Sequence, residues 1–205
     1  MTRRTSYYAM VVGLLLLYAG CTDSYWKYVD SSSRDEWQQP KAVIQSLHVP
    51  PGASVADVGS GGGYFSFPLA EAVGPQGKVF AVDVDKGSLD YIRRQAETRG
   101  VSNIALVQAA KDDPRLPEHG VDLIFTCNTY HHLDNRVVYL QSLARYLRLD
   151  GRVAIIDYTE TGWFAKIFGH WTPKETVRRE MEAAGYQLTD DFDFLRKQHF
   201  QVFRR

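Results

Sequence analysis

The sequence predicts an α/β fold: a doubly wound, mostly parallel sheet with helices on both faces and an antiparallel edge at the C-terminus. From Lys41 onward, short apolar runs rich in β-branched residues alternate with segments of helical periodicity. Crossover helices that join parallel strands produce this alternation. A cluster of glycines follows the first apolar run directly, as at a turn from a buried strand into a helix. The last two apolar runs are close together, so we expect them to form a hairpin.

These patterns give the expected elements in order. We predict strands at residues 54–58, 78–84, 104–108, 121–126, 152–157, 186–191 and 199–203. We predict helices at residues 41–47, 64–73, 88–100, 137–149 and 173–184.

Composition indicates one globular domain with an N-terminal extension. A chain of 205 residues, 44% of them hydrophobic, can bury one sizeable core. Lys plus Arg and Asp plus Glu each number 24, so no net field attracts nucleic acid, and we expect no nucleic-acid partner. Cys21 and Cys127 are the only cysteines, which excludes a disulfide framework. The sequence does not indicate an oligomeric state.

The N-terminus has the layout of a targeting segment. Arg3 and Arg4 precede an apolar stretch, 7–19. This stretch is shorter than the roughly 20 residues of a spanning helix. It ends in Tyr-Ala-Gly-Cys at 18–21 and resembles a bacterial lipoprotein signal, which implies lipidation of Cys21. An uncleaved anchor and an ordinary signal peptide are the alternatives.

The expected organisation is therefore a signal, lipoprotein or membrane-anchor segment at 1–21, a linker and N-terminal extension at 22–40, and the folded domain at 41–205. The polar residues 30–39 are typical of a tether, although Trp26 and Trp37 indicate that part of the extension packs. We expect the protein to be membrane-associated through its N-terminus, as a cell-envelope lipoprotein or an anchored protein.

The strongest motif is Val-Ala-Asp-Val-Gly-Ser-Gly-Gly-Gly-Tyr at 55–64. Glycines at such a turn let the backbone bend sharply and let a ligand approach closely. Asp57 lies in the strand before the glycines, and Asp83 closes the next strand. A carboxylate at the end of the second strand is placed to accept hydrogen bonds from the hydroxyls of a ribose.

Together these features resemble the signature of the class I, Rossmann-like methyltransferases that use S-adenosylmethionine. Residues 122–133 look like that family's fourth strand and the segment that lines its methyl-transfer site, and 147–153 is similar to its turn before strand five. The resemblance implies S-adenosyl-L-methionine as cofactor, with the loop at its methionine moiety and Asp83 at its ribose. Asp85 is the alternative ribose ligand. The implied cofactor residues are Asp57, Gly59, Ser60, Gly61, Gly63, Asp83, Val84, Asp112 and Asn128.

One segment departs from the family pattern. After strand three the family commonly has a Gly-Asp pair whose Asp binds the adenine amino group, whereas this chain has Ala-Ala-Lys-Asp-Asp at 109–113. Asp112 or Asp113 is expected to take that place after a small shift of the backbone.

The candidate catalytic residues are Tyr130, His131 and His132, which follow the fourth strand, where open parallel sheets build ligand sites. Either histidine can act as a general base near neutral pH. Packing, orientation or capping of the next helix is the alternative role. With Asp134 the two histidines do not supply the three or four ligands of a competent metal site, so no metal is expected.

The sequence thus predicts an S-adenosylmethionine-dependent methyltransferase that acts on a small or lipid-like acceptor. The alternatives are a membrane-tethered, catalytically inactive nucleoside-binding module of the same fold, and a nicotinamide-dependent oxidoreductase that shares the glycine loop. An aromatic segment, 163–171, is expected to enclose an apolar acceptor, to dock on a membrane or to pack in the core.

Overall fold

A computed structural model describes residues 32–159 and 171–205, with side chains from residue 34 onward. The predicted leader, including Cys21, and most of the aromatic segment lie outside these residues. In the described part of the chain, none of the helices combines the length and apolar character needed to cross a bilayer.

Among the residues that the structure describes, seven strands form one central sheet in the order β3-β2-β1-β4-β5-β7-β6. Neighbours among β1 to β5 pair in parallel, and β7 pairs antiparallel with both β5 and β6. The predicted fold class is confirmed. The strands are β1 Ser54–Val58, β2 Lys78–Asp83, β3 Ile104–Gln108, β4 Val121–Cys127, β5 Leu147–Tyr158, β6 Gln187–Phe192 and β7 Gln198–Arg204.

Helices cover both faces of the sheet. They are α1 Ser32–Gln38, α2 Pro40–Ser46, α3 Ser66–Val73, α4 Lys86–Arg99, α5 Arg136–Leu143 and α6 Lys174–Ala183, with a short 3-10 turn at Tyr130–His132. One core contains Leu69 of α3, and the opposite core contains Met181 of α6. Successive residues of β1 alternate between the cores, as period-two side chains require: Val55 lies in the first and Ala56 in the second.

The predicted helix at 137–149 is wrong in its C-terminal part. The helix α5 ends at Leu143, and β5 begins at Leu147, which pairs with Val121 of β4. The hydroxyl of Tyr146 donates to Asp113, which holds the intervening turn against the loop after β3. Pairing with a distant strand therefore overrides the local helical pattern here.

Residues 32–38, within the expected tether, form the helix α1. Gln38 at its end is fully buried. The Gln38 amide donates to Sγ of Cys127 at 2.8 Å and to Oε1 of Gln198 at 3.1 Å. The ring of Trp37 lies 6.0 Å from the ring of Tyr158, centroid to centroid. The helix is thus packed across the carboxyl ends of β4 and β5.

Replacing Gln38 by Ala is expected to destabilise the fold, because it leaves the Gln198 carbonyl without its donor in a buried site and opens a small void. We expect the free energy of unfolding to fall by about 1–3 kcal/mol, measured by urea denaturation. The control is Gln45→Ala, the same change at an exposed position of α2, for which we expect a change within about 0.5 kcal/mol. Equal effects of the two variants would contradict the role assigned to Gln38.

Candidate active site

The candidate site lies where the strand order reverses. The sheet runs outward from β1 through β2 to β3 on one side, and from β4 through β5 on the other. Adjacent crossover connections therefore leave on opposite faces, and a crevice opens at the carboxyl ends of β1 and β4. The glycine loop, 59–63, follows β1, and the segment 128–132 follows β4. The two segments that carry most of the predicted site residues are thus neighbours.

Gly59 is required both by the backbone and by a neighbouring side chain. Its φ of 75° lies in the left-handed region, and a Cβ at this position would be 2.1 Å from Oγ1 of Thr129. The sequence predicted that a ligand approaches Gly59 closely, whereas in the structure the neighbouring group is the side chain of Thr129. The amides of Gly59 and Ser60 both donate to the carbonyl of Val82, at 2.8 and 3.0 Å, and so close the loop against β2.

The loop is also bonded to the predicted ribose carboxylate. The Gly61 amide donates to Oδ2 of Asp83 at 2.8 Å, and the Asp85 amide donates to Oδ1 at 2.9 Å. Each carboxylate oxygen can accept a further hydrogen bond. Asp85 itself is the N-cap of α4 and accepts from the Ser88 amide at 2.8 Å, so the carboxylate that faces the loop is that of Asp83.

Gly63 and Asp57 hold the loop on the helix that follows. A Cβ at Gly63 would lie 3.0 Å from the ring of Phe67 and 3.1 Å from Ile92. Asp57 is only 2% exposed, and its Oδ2 accepts a hydrogen bond from the Ser66 hydroxyl at 2.6 Å. Burial raises the pKa of Asp57 to about 7. Both residues position the loop, and direct contact of Asp57 with the cofactor stays a prediction.

The side chains around this loop fit S-adenosylmethionine. The hydroxyl oxygen of Ser60 is buried without a hydrogen-bond partner among the described residues, which suits a polar group of a ligand. Val84, directly after Asp83, is a large hydrophobic side chain that is 54% exposed. A flat adenine ring beside the ribose would cover it, which is consistent with a place for Val84 in the cofactor site.

Of the two acids considered for the adenine amino group, Asp113 is already engaged. Its Oδ1 accepts from the Tyr146 hydroxyl, and its Oδ2 accepts from Arg145 at 2.9 Å. Asp112 is exposed and makes neither of these contacts. Asp112 therefore stays the predicted adenine ligand, and Asp113 serves to fix the loop after β3.

The structure pairs His131 with an acid that sequence reasoning missed. Nδ1 of His131 lies 2.6 Å from Oδ1 of Asp157, near the end of β5. Asp157 is fully buried, and the His131 side chain is 5% exposed. The ring of His132 lies 4.1 Å from that of His131. One feature of the sequence could have indicated Asp157: it is an acidic residue at the end of an apolar strand, at the carboxyl edge of the predicted sheet.

Tyr130 and Asn128 have structural partners. Tyr130 is fully buried, and its hydroxyl donates to Oε2 of Glu180 on α6 at 2.6 Å. Burial raises the pKa of this phenol, so it keeps its proton at neutral pH. Asn128 has a positive φ of 58°, and its Oδ1 accepts from Gln198 at 2.5 Å. The catalytic role of Tyr130 and the cofactor role of Asn128 stay predictions.

The described residues of the site provide neither a reactive thiolate nor a cluster of metal ligands. Burial raises the pKa of the Cys127 thiol to about 12, so the reactive thiolate is not formed near neutral pH. Across residues 32–159 and 171–205, no group of three or more His, Cys, Asp or Glu side chains is placed to hold a metal ion.

The helix α1 closes the site next to the glycine loop. The guanidinium of Arg34 lies 3.7 Å from the ring centroid of Tyr64, the residue after the glycines. The Tyr64 hydroxyl donates to Oδ1 of Asp35 at 2.6 Å. With Gln38 bonded to Cys127, α1 contacts the residues directly next to both segments that form the crevice.

The raised pKa of Asp57 predicts a pH-dependent stability. The folded state holds this proton up to a pKa of about 7, against an ordinary value of 3.8, so the contribution of Asp57 to stability falls as the pH rises between these values. Asp57→Asn removes the penalty of the buried charge. Relative to wild type, its free energy of unfolding should rise by up to about 1.4 kcal/mol per pH unit across this window.

Urea denaturation of both proteins at intervals from pH 5 to pH 8 measures this difference. Asp150→Asn, at an exposed position near the opposite end of β5, is the matched control and should show a difference that does not change with pH. A flat difference for Asp57→Asn as well would refute the assignment.

Known methyltransferases match both the sequence and the fold. A family model described as a methyltransferase domain matches residues 55–151. Aklanonic acid methyltransferase DauC of Streptomyces sp. (strain C5) is 35% identical over 103 residues, covering 50% of this chain and 47% of that protein. The ubiquinone/menaquinone biosynthesis C-methyltransferase UbiE of Ectopseudomonas mendocina is 26% identical over 157 residues, covering 75% and 59%. The chain spans about half the length of these relatives.

The structural match extends over most of the chain. A crystal structure of a SAM-dependent methyltransferase from Aquifex aeolicus aligns with a TM-score of 0.80 and 26% identity, covering 88% of this chain and 96% of that one. A TehB-like SAM-dependent methyltransferase from Corynebacterium glutamicum shares the fold, with a TM-score of 0.69 at 20% identity over 92% of this chain and 98% of that one. Residues 55–151 of this chain are therefore similar to a methyltransferase domain, and the described residues have the fold of S-adenosylmethionine-dependent methyltransferases.

Proposed function

We propose that this protein transfers a methyl group from S-adenosylmethionine to a small or lipid-like acceptor. The main support for the proposal is the hydrogen bond from the Gly61 amide to the Asp83 carboxylate. This bond joins the glycine loop to the end of β2 at the crevice where open parallel sheets bind ligands. This bond supports a single ligand that contacts both the loop and the Asp83 carboxylate.

The cofactor supplies an electrophilic methyl group on a sulfonium sulfur. Methyl transfer is an in-line displacement, so the protein contributes mainly by positioning the reactants and excluding water. Asp83 would accept the ribose hydroxyls, Ser60 would bond to a polar group, and Val84 would contact the adenine ring. The helix α1 would cover the site, since Arg34 packs on Tyr64 beside the loop.

The names of the relatives support a small acceptor. They include aklanonic acid methyltransferase, a ubiquinone/menaquinone C-methyltransferase and nocamycin O-methyltransferase of Saccharothrix syringae, which matches at 30% identity over 105 residues, 51% of this chain and 38% of that protein. Both carbon and oxygen methylation occur among these names. Trp37 and Tyr158, with ring centroids 6.0 Å apart near the site, offer apolar surface to such an acceptor.

We also propose that the N-terminus holds the domain at a membrane, as the leader pattern at 1–21 predicts. The helix α1 begins at Ser32, soon after this segment. If the N-terminus is anchored, the end of the site that α1 covers would lie near the lipid surface. This location would favour a lipid-like acceptor.

Isothermal titration of S-adenosylmethionine and its demethylated product, S-adenosylhomocysteine, into the full chain tests the proposal. We expect the wild type to bind both ligands in the micromolar range. Asp83→Ala should lose about 1–3 kcal/mol of binding free energy, because the ribose hydroxyls lose their acceptor. Asp150→Ala, with the same change in charge at an exposed position, should bind like the wild type.

The same titration separates the proposal from the inactive nucleoside-binding module, which the altered segment at 109–113 would favour. A module of that kind would bind adenosine as tightly as S-adenosylmethionine, because it makes no use of the methionine moiety. A methyltransferase site should bind S-adenosylmethionine more tightly than adenosine. Absence of binding to the wild type would refute the proposed function.

A further inference from the structure

We infer that the buried carboxyl of Asp57 distinguishes the cofactor from its demethylated product: it releases its proton when S-adenosylmethionine binds and keeps it when S-adenosylhomocysteine binds. The inference rests on the proposed function and adds a specificity-determining residue to the same site. It is supported by the burial of Asp57, by its hydrogen bonding, and by its position in β1 directly before the glycine loop.

The environment of Asp57 disfavours a negative charge. The residue is 2% exposed, and its Oδ2 accepts a hydrogen bond of 2.6 Å from the Ser66 hydroxyl of α3. A buried carboxylate stays ionised when several hydrogen bonds or an opposite charge stabilise it. One hydroxyl does not offset the burial, which raises the pKa of Asp57 to about 7. Near this pH, a charge that arrives beside the carboxyl changes its protonation state strongly.

The charged groups around Asp57 lie on three other elements. Asp83 of β2 raises the pKa of Asp57 through its negative charge, and Arg34 of α1 lowers it. Cys127 of β4 adds no charge near neutral pH, because burial raises the pKa of its thiol to about 12. Asp57 pairs in register with Ala81, two residues before Asp83 on the parallel strand. The two carboxyls therefore lie on either side of the base of the loop.

A ligand in the proposed binding mode would bring a positive charge to this place. The methionine moiety would lie over the loop at 59–63, and the ribose would lie at Asp83. The sulfur of the cofactor is bonded to both moieties, so it would lie between the loop and the Asp83 carboxylate. Cofactor and product differ by one methyl group and one positive charge on this sulfur. The charge would stabilise ionised Asp57, whereas the neutral sulfur of the product would not.

The proton balance fixes the direction of the pH dependence. Below about pH 7, Asp57 must pass its proton to solvent when S-adenosylmethionine binds, so the affinity for this ligand rises with pH, by up to about tenfold per unit. The affinity for S-adenosylhomocysteine stays constant over the same range. After methyl transfer the sulfur is neutral, and Asp57 takes a proton back from solvent. The loss of this attraction weakens the binding of the product.

The first test counts protons and requires neither turnover nor a variant. Calorimetric titrations of the full chain at pH 6, in buffers with different enthalpies of ionisation, measure the protons released per ligand. We expect about half a proton or more for S-adenosylmethionine and less than about a tenth for S-adenosylhomocysteine. Equal release with both ligands would overturn the inference, because the ammonium group that they share would then set the ionisation. Absence of release with both would overturn it as well.

The second test assigns the proton to Asp57. The Kd of each ligand is measured from pH 5.5 to pH 7.5, and the preference for S-adenosylmethionine should rise with pH in the wild type. In Asp57→Asn, an uncharged side chain of similar shape, the preference should not change with pH and should be about tenfold lower at pH 7.5. Asp150→Asn, at an exposed position, should behave like the wild type.

Ser66→Ala provides an independent check. It removes the hydrogen bond that stabilises ionised Asp57, so the pKa of Asp57 should rise and the pH-dependent range of the preference should move to higher pH. A preference that does not depend on pH in the wild type, or an unchanged dependence in Asp57→Asn, would overturn the inference alone. A wild type that binds neither ligand would instead overturn the proposed function, and this inference with it.

Discussion

The hydrogen bond from the Gly61 amide to the Asp83 carboxylate is the contact on which the rest of the site depends. It ties the turn after β1 to the end of the adjacent strand, and the loop can make it only because its glycines adopt positive φ values. An L-residue with a side chain pays about 1–2 kcal/mol per position for such a conformation. At Gly59 the cost of a side chain is higher, because Thr129 occupies the space that a Cβ would need. The loop conformation is therefore fixed by both backbone and packing.

A second constraint is the buried polar contact that holds α1 over the crevice. The Gln38 amide bonds to Cys127 and to Gln198, and the Gln198 amide in turn donates to Asn128. Buried polar groups are costly unless they are paired, so these hydrogen bonds stabilise the helix in this position. That position covers the carboxyl ends of β4 and β5, where His131 and Asp157 meet. The same network therefore links α1 to the segment that follows β4.

The sequence carries a large part of this structure in local patterns. Alternation of strands and helices predicted the sheet, and the glycines after β1 predicted the turn that lies against Asp83 at the end of β2. Such features depend on neighbours in the chain, so they can be read from residue order. The start of β5 could not be read from residue order, because Leu147 becomes a strand residue only through its pairing with Val121.

The unexpected parts of the site arise from contacts between distant residues. His131 and Asp157 lie on different elements and meet because β4 and β5 are neighbours in the sheet, a side-chain contact that residue order does not show. Asp113 looked equivalent to Asp112 in the sequence, yet Tyr146 and Arg145 bind it. The packing of α1 depends on Gln198, which is far along the chain from Gln38.

In the proposed function, the glycine loop and Asp83 together bind S-adenosylmethionine. A crystal structure of the complex with S-adenosylhomocysteine tests this most directly. We predict that both ribose hydroxyls lie within hydrogen-bond distance of the Asp83 carboxylate, with the adenine ring against Val84 and the methionine moiety over the loop at 59–63. A ligand bound elsewhere, or a ribose held by Asp85 with Asp83 making no contact, would contradict the account.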